Sequence, residues 1–199
     1  PWTGIYIQGG NAFVGDTVPN IIGDPTSASS SVYVLSQLNT STPVACGIKC
    51  TGNGIVKVKN NLISGISAVG VNSTYPCSVV GILATSSTNI EIAGNTVGNT
   101  NFANALRAAS PNTAYAQSAI GIQVNATAIG NLSVTNNTVA NVVNSGTSTS
   151  LQNITAGIHI TSNSAALVSG NQINNIYSSS GNPASNGSTA LTGLYYNTT

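Results

Sequence analysis

The sequence has very few charged residues, and this shortage excludes several classes of protein. Only 4% of its 199 residues are charged, with four basic and three acidic side chains and a net charge of +1, whereas ordinary domains carry about 25%. We therefore expect no nucleic-acid partner and no polybasic membrane patch. Solubility must depend on hydroxyl and amide groups, which suits an extracellular glycoprotein or a subunit of an assembly.

Long apolar runs are also missing. Apolar stretches are interrupted every few residues, so we expect no membrane span, and no signal peptide is recognisable. Methionine is absent, aromatic residues make up 5%, and there are only three cysteines.

A short motif recurs along the chain and indicates a repeat architecture. It consists of Gly, a branched apolar residue, a variable residue and usually another apolar residue. The six copies begin at Gly4, Gly47, Gly81, Gly121, Gly157 and Gly193, and successive copies lie 34 to 43 residues apart. A recurrence at this period predicts a solenoid, in which each repeat buries its apolar side chains against its neighbours.

Two more apolar segments follow each motif, and they are short, β-branched and alternating. They predict three short strands per repeat, each stacked in parallel on its counterpart in the next rung, about 4.8 Å away. The inward residues are expected to be Ile5, Ile48, Ile82, Ile122, Ile158, Val14, Val58, Ile92, Val134 and Val168. The predicted fold is all-β: one parallel β-helix domain over residues 1–199, with about five to six rungs of three strands.

Asn and Gly recur where the strands must turn. One column contains Asp16, Asn61, Asn95, Asn137 and Asn171, and a second contains Asn20, Asn99, Asn141 and Asn175, with Gly65 in one rung. Both residue types tolerate the left-handed conformation of a sharp corner. Stacked Asn side chains also hydrogen-bond along the stack, so we expect amide ladders at the corners.

With these strands and corners, the chain resembles the right-handed parallel β-helix repeat proteins, which include pectate-lyase-like enzymes, NosD-like proteins, phage tailspikes and adhesin-type solenoids. The resemblance covers nearly the whole chain and implies a right-handed coil. It implies no single function, because enzymes and inert scaffolds share this fold.

The remaining segments are rich in Ser, Thr, Ala, Asn and Gly. They comprise residues 24–44, 67–79, 101–118, 143–155 and 177–190, and we expect them to form loops along one edge of the coil. Such loops either carry function or are tolerated insertions, and the sequence leaves both interpretations open.

The three carboxylates argue against catalysis. Lyases and hydrolases of polysaccharides need carboxylates clustered with basic groups. We expect Asp16 in a corner ladder, Asp24 at the start of a loop, and Glu91 in a surface ion pair with Lys57 one rung earlier, so that no two acids share a face. We therefore predict no catalytic residues, no cofactor and, because three cysteines and one histidine lack ligand spacing, no metal site.

Other polar side chains are expected to have ordinary roles. His159 lies in the outward column between Gln123 and Tyr195, which favours a lone surface histidine. Lys57 and Lys59 alternate on one strand, as on a solvated face. Arg107 falls in a long loop, where it could alternatively anchor a ligand carboxylate.

The cysteines fit an oxidising compartment, whereas the sequons are about as many as chance gives and only offer possible glycosylation sites. Cys50 falls in the inward column and is expected to be a small buried residue. Cys46 and Cys77 each precede a Gly motif, one rung apart, so we expect a disulfide between them. Eight residues lie in N-glycosylation sequons: Asn39, Asn72, Asn125, Asn131, Asn136, Asn153, Asn186 and Asn197.

Two functions remain open. The first is a structural extracellular protein, namely a cell-surface or filament subunit. We expect it to assemble head to tail, because neither end has a recognisable cap. The alternatives are that the chain is a fragment of a longer solenoid or that it is a capped monomer. The second is a carbohydrate-binding or carbohydrate-active module of a larger surface protein. A groove lined by aromatics and carboxylates would favour the second function, and we expect none. The end-to-end contact is expected to involve Trp2, Ile5, Tyr6, Ile7, Leu194, Tyr195 and Tyr196.

Overall fold

The structure is an all-β solenoid. A computed structural model describes residues 1–27, 29–37, 44–85, 88–126, 130–150, 152–179 and 191–197. Within these ranges every regular element is a β-strand, numbered β1 to β19 in chain order, and all the pairs between strands are parallel. The predicted fold class is confirmed.

Three sheets run along the coil. Sheet A contains β1 (Trp2–Gln8), β5 (Ala45–Thr51), β9 (Val79–Thr85), β13 (Ser118–Ala126), β16 (Ile154–Ser162) and β19 (Leu191–Asn197). Sheet B contains β2 (Ala12–Val14), β6 (Ile55–Lys59), β10 (Asn89–Ala93), β14 (Asn131–Thr135) and β17 (Ala166–Ser169). Sheet C contains β3 (Ile21–Ile22), β4 (Val32–Ser36), β7 (Leu62–Ile63), β8 (Ile66–Gly70), β11 (Thr96–Gly98), β12 (Leu106–Ala109), β15 (Thr138–Asn144) and β18 (Gln172–Ser178).

The stack is slightly shorter than predicted. It amounts to about four turns of solenoid, compared with the five to six rungs expected from the sequence. Sheet B has five strands, so there are four passages from one strand of this sheet to the next. Only sheet A continues to a sixth strand, β19.

Sheet C contains strands that the sequence analysis assigned to loops. β4, β8 and β12 fall within or overlap the segments 24–44, 67–79 and 101–118, and they pair in parallel with one another and with β15. Ala68 and Leu106 are buried in the core. The loop assignment is therefore wrong for these residues, and the alternating run Val-Tyr-Val-Leu in β4 was the available signal.

The core follows the predicted inward columns. The register of sheet A aligns Ile5, Ile48, Ile82, Ile122, Ile158 and Leu194. The central members of this column and their counterparts in sheet B are buried in one apolar cluster. Ile5 and Val168, in the terminal rungs, are only partly buried against that cluster.

Glycine recurs in sheet A where a side chain of sheet C lies against the strand. A Cβ on Gly121 would overlap Val139 Cγ1 and would lie 2.6 Å from the carbonyl oxygen of Gly157. Gly81 has the same surroundings, with Val97 as the overlapping side chain. The φ angles of Gly81 and Gly121 are outside the positive region, so glycine is required for close packing.

Left-handed residues form the corner between sheets B and C. Gly15, Asn60, Gly94, Asn136 and Gly170 occupy equivalent positions in successive rungs, with φ between 55° and 73°. Only Gly adopts this conformation without cost, and Asn adopts it more readily than other residues. The second corner behaves as predicted only in part, because Gly65, Asn141 and Asn175 have positive φ whereas Asn99 does not and the preceding Gly98 does. In the first predicted column, too, the left-handed residue is the one before each Asn. The assignment of Asn20 to the second column is wrong, since Asn20 aligns with Asn61 of the first.

An amide ladder runs along the first corner. Asn61 donates from Nδ2 to Asn95 Oδ1 at 2.9 Å, Asn95 donates in the same way to Asn137 at 2.9 Å, and Asn137 to Asn171 at 2.9 Å. The first member is Asn20, whose Nδ2 lies 2.8 Å from Asn61 Oδ1. The prediction that Asp16 belongs to this ladder is therefore wrong, because the first corner is longer and Asn20 takes the position.

Candidate functional site

The charged residues are concentrated on the outer surface of sheet B. Lys59 Nζ lies 2.9 Å from Glu91 Oε1 and 3.4 Å from Asp16 Oδ1, and Lys57 Nζ lies 4.0 Å from Glu91 Oε2. We call these four residues the charged face. It contains two of the four basic and two of the three acidic side chains of the whole chain, so the scarce charge is gathered in one place.

Register explains how the charged face forms. Glu91 pairs with Lys57 across β10 and β6, as predicted, and Lys59 follows two residues later on the same outward side. Asp16 follows the corner residue Gly15, whose positive φ turns the chain toward Lys59. The expectation that no two acids share a face is therefore wrong, since Lys59 brings Asp16 and Glu91 together from rungs one and three.

The charged face shifts the pKa of Lys59. The hydrogen bond from Lys59 to Glu91 is the main cause that raises the pKa of Lys59 above its usual value, with Asp16 adding to the effect. Lys59 therefore remains an ammonium group at any physiological pH, placed between the two carboxylates. Such an arrangement offers charged hydrogen-bonding groups to a polar ligand.

A shallow groove adjoins the charged face. Its volume is about 250 Å³, and it runs across three rungs of sheet B. Its lining residues include Ile55, Lys57, Asn89, Glu91, Asn131 and Ser133. Next to it, the Phe13 ring is 54% exposed, with Lys57 Nζ 5.7 Å from its centroid. The expectation that no such groove exists is therefore wrong in part, because a carboxylate lines this groove and an aromatic ring lies beside it.

Asp24 and Arg107 lie away from the charged face. Asp24 Oδ1 accepts hydrogen bonds from Thr26 N at 2.8 Å and from Thr26 Oγ1 at 2.7 Å, and these bonds lower its pKa. Arg107 belongs to β12 rather than to a loop, and its Nε donates to Ser145 Oγ at 3.0 Å. Asp24 therefore organises its own turn, and Arg107 links two rungs of sheet C.

His159 is buried rather than exposed. It is 8% exposed, and the Tyr195 ring stacks on it with the two centroids 4.8 Å apart. Burial lowers the pKa of its imidazole. The prediction of a lone surface histidine is wrong, because the outward column of sheet A is covered at this rung.

The predicted disulfide is also wrong, since Cys46, Cys50 and Cys77 are all free thiols. Cys46 aligns with Val80, three residues beyond Cys77. Cys46 belongs to a small apolar cluster separate from the core, whereas Cys77 lies in the core. Burial raises the pKa of Cys46 to about 12 and the pKa values of Cys50 and Cys77 to about 11. Cys50 is buried, as predicted.

Exposure separates the sequons into groups. Asn72, Asn125, Asn131, Asn136 and Asn197 are exposed, whereas Asn39 and Asn186 lie outside the described residues. Asn153 is 0% exposed; its Oδ1 accepts from Gln117 N at 2.8 Å and its Nδ2 donates to Ser148 O at 2.9 Å. A glycan on Asn153 is incompatible with this packing.

The two ends of sheet A expose apolar residues. At the first rung, Trp2, Ile5 and Ile7 are partly buried and Tyr6 is exposed, with Lys49 Nζ 5.1 Å from the Tyr6 ring. At the last rung, Leu194 is 47% exposed although it aligns with the buried Ile158. Tyr196 is exposed too, and its hydroxyl donates to Ser164 O at 2.8 Å.

Neither a metal cluster nor a membrane-spanning helix occurs in the part of the chain that the structure describes. No group of three or more His, Cys, Asp or Glu side chains in these ranges is placed to hold a metal ion. In the same ranges, no helix has the length and the apolar character needed to cross a membrane.

Comparison with known proteins gives no family assignment, since no protein-family model, curated protein or solved structure matches the chain.

Proposed function

We propose that this chain is a structural module of an extracellular surface protein or filament, which associates head to tail through the ends of its solenoid. The observation that carries the proposal is the constant register of sheet A, in which each rung places a branched apolar residue on the one before. Leu194 ends this column about half exposed. A further strand with the same motif would bury it and satisfy the outer edge of β19.

The first rung offers such a strand. β1 contains the motif Gly4-Ile5-Tyr6-Ile7 and pairs with β5 in the register that β16 and β19 share. Beside it, a concavity of about 470 Å³ is lined partly by Ile5, Ile7 and Val14. The end of a second copy would cover this apolar surface. Repeated contacts between unlike ends do not close, so they build a fibre.

The two ends of the coil do not match rung for rung in the proposed contact. Sheet A has six strands whereas sheet B has five, so a copy whose β1 pairs with β19 leaves a gap of one rung above β17. Segments of the two chains must fill that gap. The scarcity of charge and the exposed sequons support an extracellular location, because glycans would then add to the solubility that charge does not provide.

A cysteine cross-link tests the assembly. In the proposed joint, Tyr195 of one copy and Tyr6 of the next copy occupy adjacent rungs of one outward column, about 4.8 Å apart, which is within reach of a disulfide. Oxidation of the variant Tyr6→Cys/Tyr195→Cys should give a ladder of covalent oligomers on non-reducing gels. The matched control is Tyr6→Cys/Tyr177→Cys, because Tyr177 is exposed near the same end of the coil but belongs to β18 of sheet C.

The control pair should form no ladder. A protein that remains a monodisperse monomer in light scattering, with no covalent ladder from the Tyr6/Tyr195 pair, would overturn the proposal. Equal ladders from both pairs would indicate random collision and would count against the specific joint.

A second candidate function, carbohydrate binding, is favoured by the charged face. A groove with carboxamide, hydroxyl, ammonium and carboxylate groups beside an exposed ring suits a polyhydroxylated ligand, which needs several donors and acceptors together with an apolar contact. The position of Lys59 between Asp16 and Glu91 favours binding without catalysis. The two proposals share part of the surface, because Phe13 and Asp16 also line the concavity that a second copy would cover.

Calorimetric titration with neutral and acidic oligosaccharides tests the groove. Glu91→Gln should reduce affinity at least about tenfold, which corresponds to the loss of about 1.4 kcal/mol. Asp24→Asn is the control, since it removes the one side-chain carboxylate outside the charged face. Equal effects of both variants, or no binding at all, would exclude the groove, and release of cleaved product would show that the chain is an enzyme.

A further inference from the structure

The last strand of sheet A is held on its outward surface by a pair of stacked rings. Tyr195 of β19 lies on His159 of β16, with centroids 4.8 Å apart and ring planes inclined by 15°. His159 is buried, and its Nδ1 has no hydrogen-bond partner within the described ranges. The imidazole is therefore enclosed in its neutral form, with one nitrogen that is not engaged in a hydrogen bond.

We infer that protonation of His159 releases β19 from the coil, so that mild acid opens this edge of sheet A. An imidazolium carries an N–H on both ring nitrogens. At His159, the new Nδ1–H would be buried without an acceptor, and the charge would be held away from water, which is costly. Detachment of β19 removes Tyr195 from the ring and admits water, so the protonated side chain favours the open state.

Among the residues that the structure describes, no carboxylate lies beside His159 to stabilise the imidazolium. The residues that align with His159 on the adjacent strands are Gln123 of β13 and Tyr195 of β19. Of the elements packed beneath β16, β15 carries no ionisable side chain and β18 carries only Tyr177. Of the three acids, Asp16 and Asp24 lie in the first rung, and Glu91 lies in β10 of sheet B, two rungs before β17.

Among the side chains of the sequence, His159 is the one expected to titrate near neutral pH. The residues outside the described ranges carry no ionisable side chain, and the chain has a single histidine. Histidine is the side chain whose ordinary pKa allows its charge to change between pH 5 and 8. A pH response of the side chains in that interval therefore points to this one residue.

The direction of the effect follows from linkage. Burial lowers the pKa of His159 in the closed state, while the open state has an ordinary value of about 6.5. The open state therefore binds the proton more strongly, and closure of β19 is strongest above pH 6.5 and weakens as the pH falls below it. Between pH 7.5 and pH 5, the opening equilibrium rises by at most about 30-fold.

Amide hydrogen exchange measured by NMR tests the inference on the intact chain. Protection of the Thr192–Asn197 amides, corrected for intrinsic exchange, should fall on acidification to pH 5, while protection of β9 in the middle of sheet A should stay constant. His159→Phe keeps a ring under Tyr195 and removes the titration, so its β19 protection should not change with pH.

A second measurement remains informative if His159→Phe does not fold. The imidazole resonances of the wild-type protein should titrate with the same midpoint as the opening of β19. Constant β19 protection in the wild type, greater protection in acid, or an equal loss in His159→Phe would each overturn the inference. Greater protection would mean that attraction between the imidazolium and the Tyr195 ring outweighs burial. The inference does not depend on head-to-tail assembly, although acid would also weaken a joint built on β19.

Discussion

Replacement of Gly121 by alanine tests why glycine recurs in sheet A. The added Cβ would overlap Val139 Cγ1 and lie 2.6 Å from the Gly157 carbonyl oxygen. Val139 has a rotatable side chain, but the carbonyl belongs to a paired strand and can move only if the rung shifts. The two contacts therefore differ in how easily they relax.

The magnitude follows from two opposing effects. Overpacking of a close-packed core costs about 1–3 kcal/mol, and the reduced freedom of the unfolded chain offsets about 0.4–1 kcal/mol of that cost. Because a backbone contact is involved, we expect a net loss of about 2 kcal/mol. For a domain of this length, that loss lowers Tm by about 4–8 °C.

Gly193 provides a matched control in the same column. A Cβ added to Gly193 would have Ile173 Cγ2 as its nearest neighbour, at the ordinary contact distance of 3.8 Å, and the φ of this residue is not positive. Gly193→Ala should therefore be neutral or stabilising by up to about 1 kcal/mol. Urea and thermal unfolding followed by circular dichroism would measure both variants.

A double variant separates the two contacts of Gly121. Val139→Ala removes the overlapping methyl groups but leaves the Gly157 carbonyl in place, so a double-mutant cycle should show favourable coupling that recovers only part of the loss. If Gly121→Ala is as stable as the wild type, or if Gly193→Ala costs as much, the explanation by close packing is refuted.

Three further predictions concern the core, the ladder and the thiols. Ile122→Asp should unfold the coil, because a lone buried charge costs several kcal/mol. Ile122→Val should lower the free energy of unfolding by only about 1 kcal/mol. If the Asp variant melts like the wild type, the inward register is wrong. Asn95→Ala should lower the free energy of unfolding by about 2–3 kcal/mol, since Asn61 and Asn137 lose their partners at a buried corner. Asn20→Ala, at the part-buried end of the ladder, should lower it by less in the same urea titration. Equal losses would argue against a continuous ladder. The thiols should resist alkylation in the native protein near pH 8, because burial raises their pKa values to about 11 or 12. After alkylation in denaturant, the intact mass should show three modified cysteines. One modified cysteine would indicate a disulfide instead.

Much of the fold was predictable from local pattern. The Gly motif, the alternating apolar residues and the Asn corners all repeat in register, so each rung provides independent evidence for the same stack. Strands β4, β8 and β12 were missed because the Ser-rich and Ala-rich composition around them is typical of loops. Their burial depends on stacking against neighbouring rungs, which composition does not reveal.

The candidate site was less predictable. Register placed Glu91 beside Lys57, but Lys59 and Asp16 were missed as partners because a long side chain reaches across rungs and Asp16 lies beyond a corner. His159 was expected on the surface since it alternates with inward residues, and alternation gives the side of a strand without showing what covers it. The cysteine spacing suggested a disulfide, although Cys46 and Cys77 lie in separate apolar clusters.

By itself, the sequence determined that this chain is a parallel solenoid with Gly and Asn at fixed positions, because those positions depend on backbone geometry that repeats in every rung. Only the tertiary structure decided which side chains meet between rungs. The pairing of Asp16 with Lys59, the stacking of Tyr195 on His159 and the burial of Asn153 depend on how unequal segments pack around the coil. Contacts that occur in a single rung leave no periodic signal, so they can be established only from the folded chain.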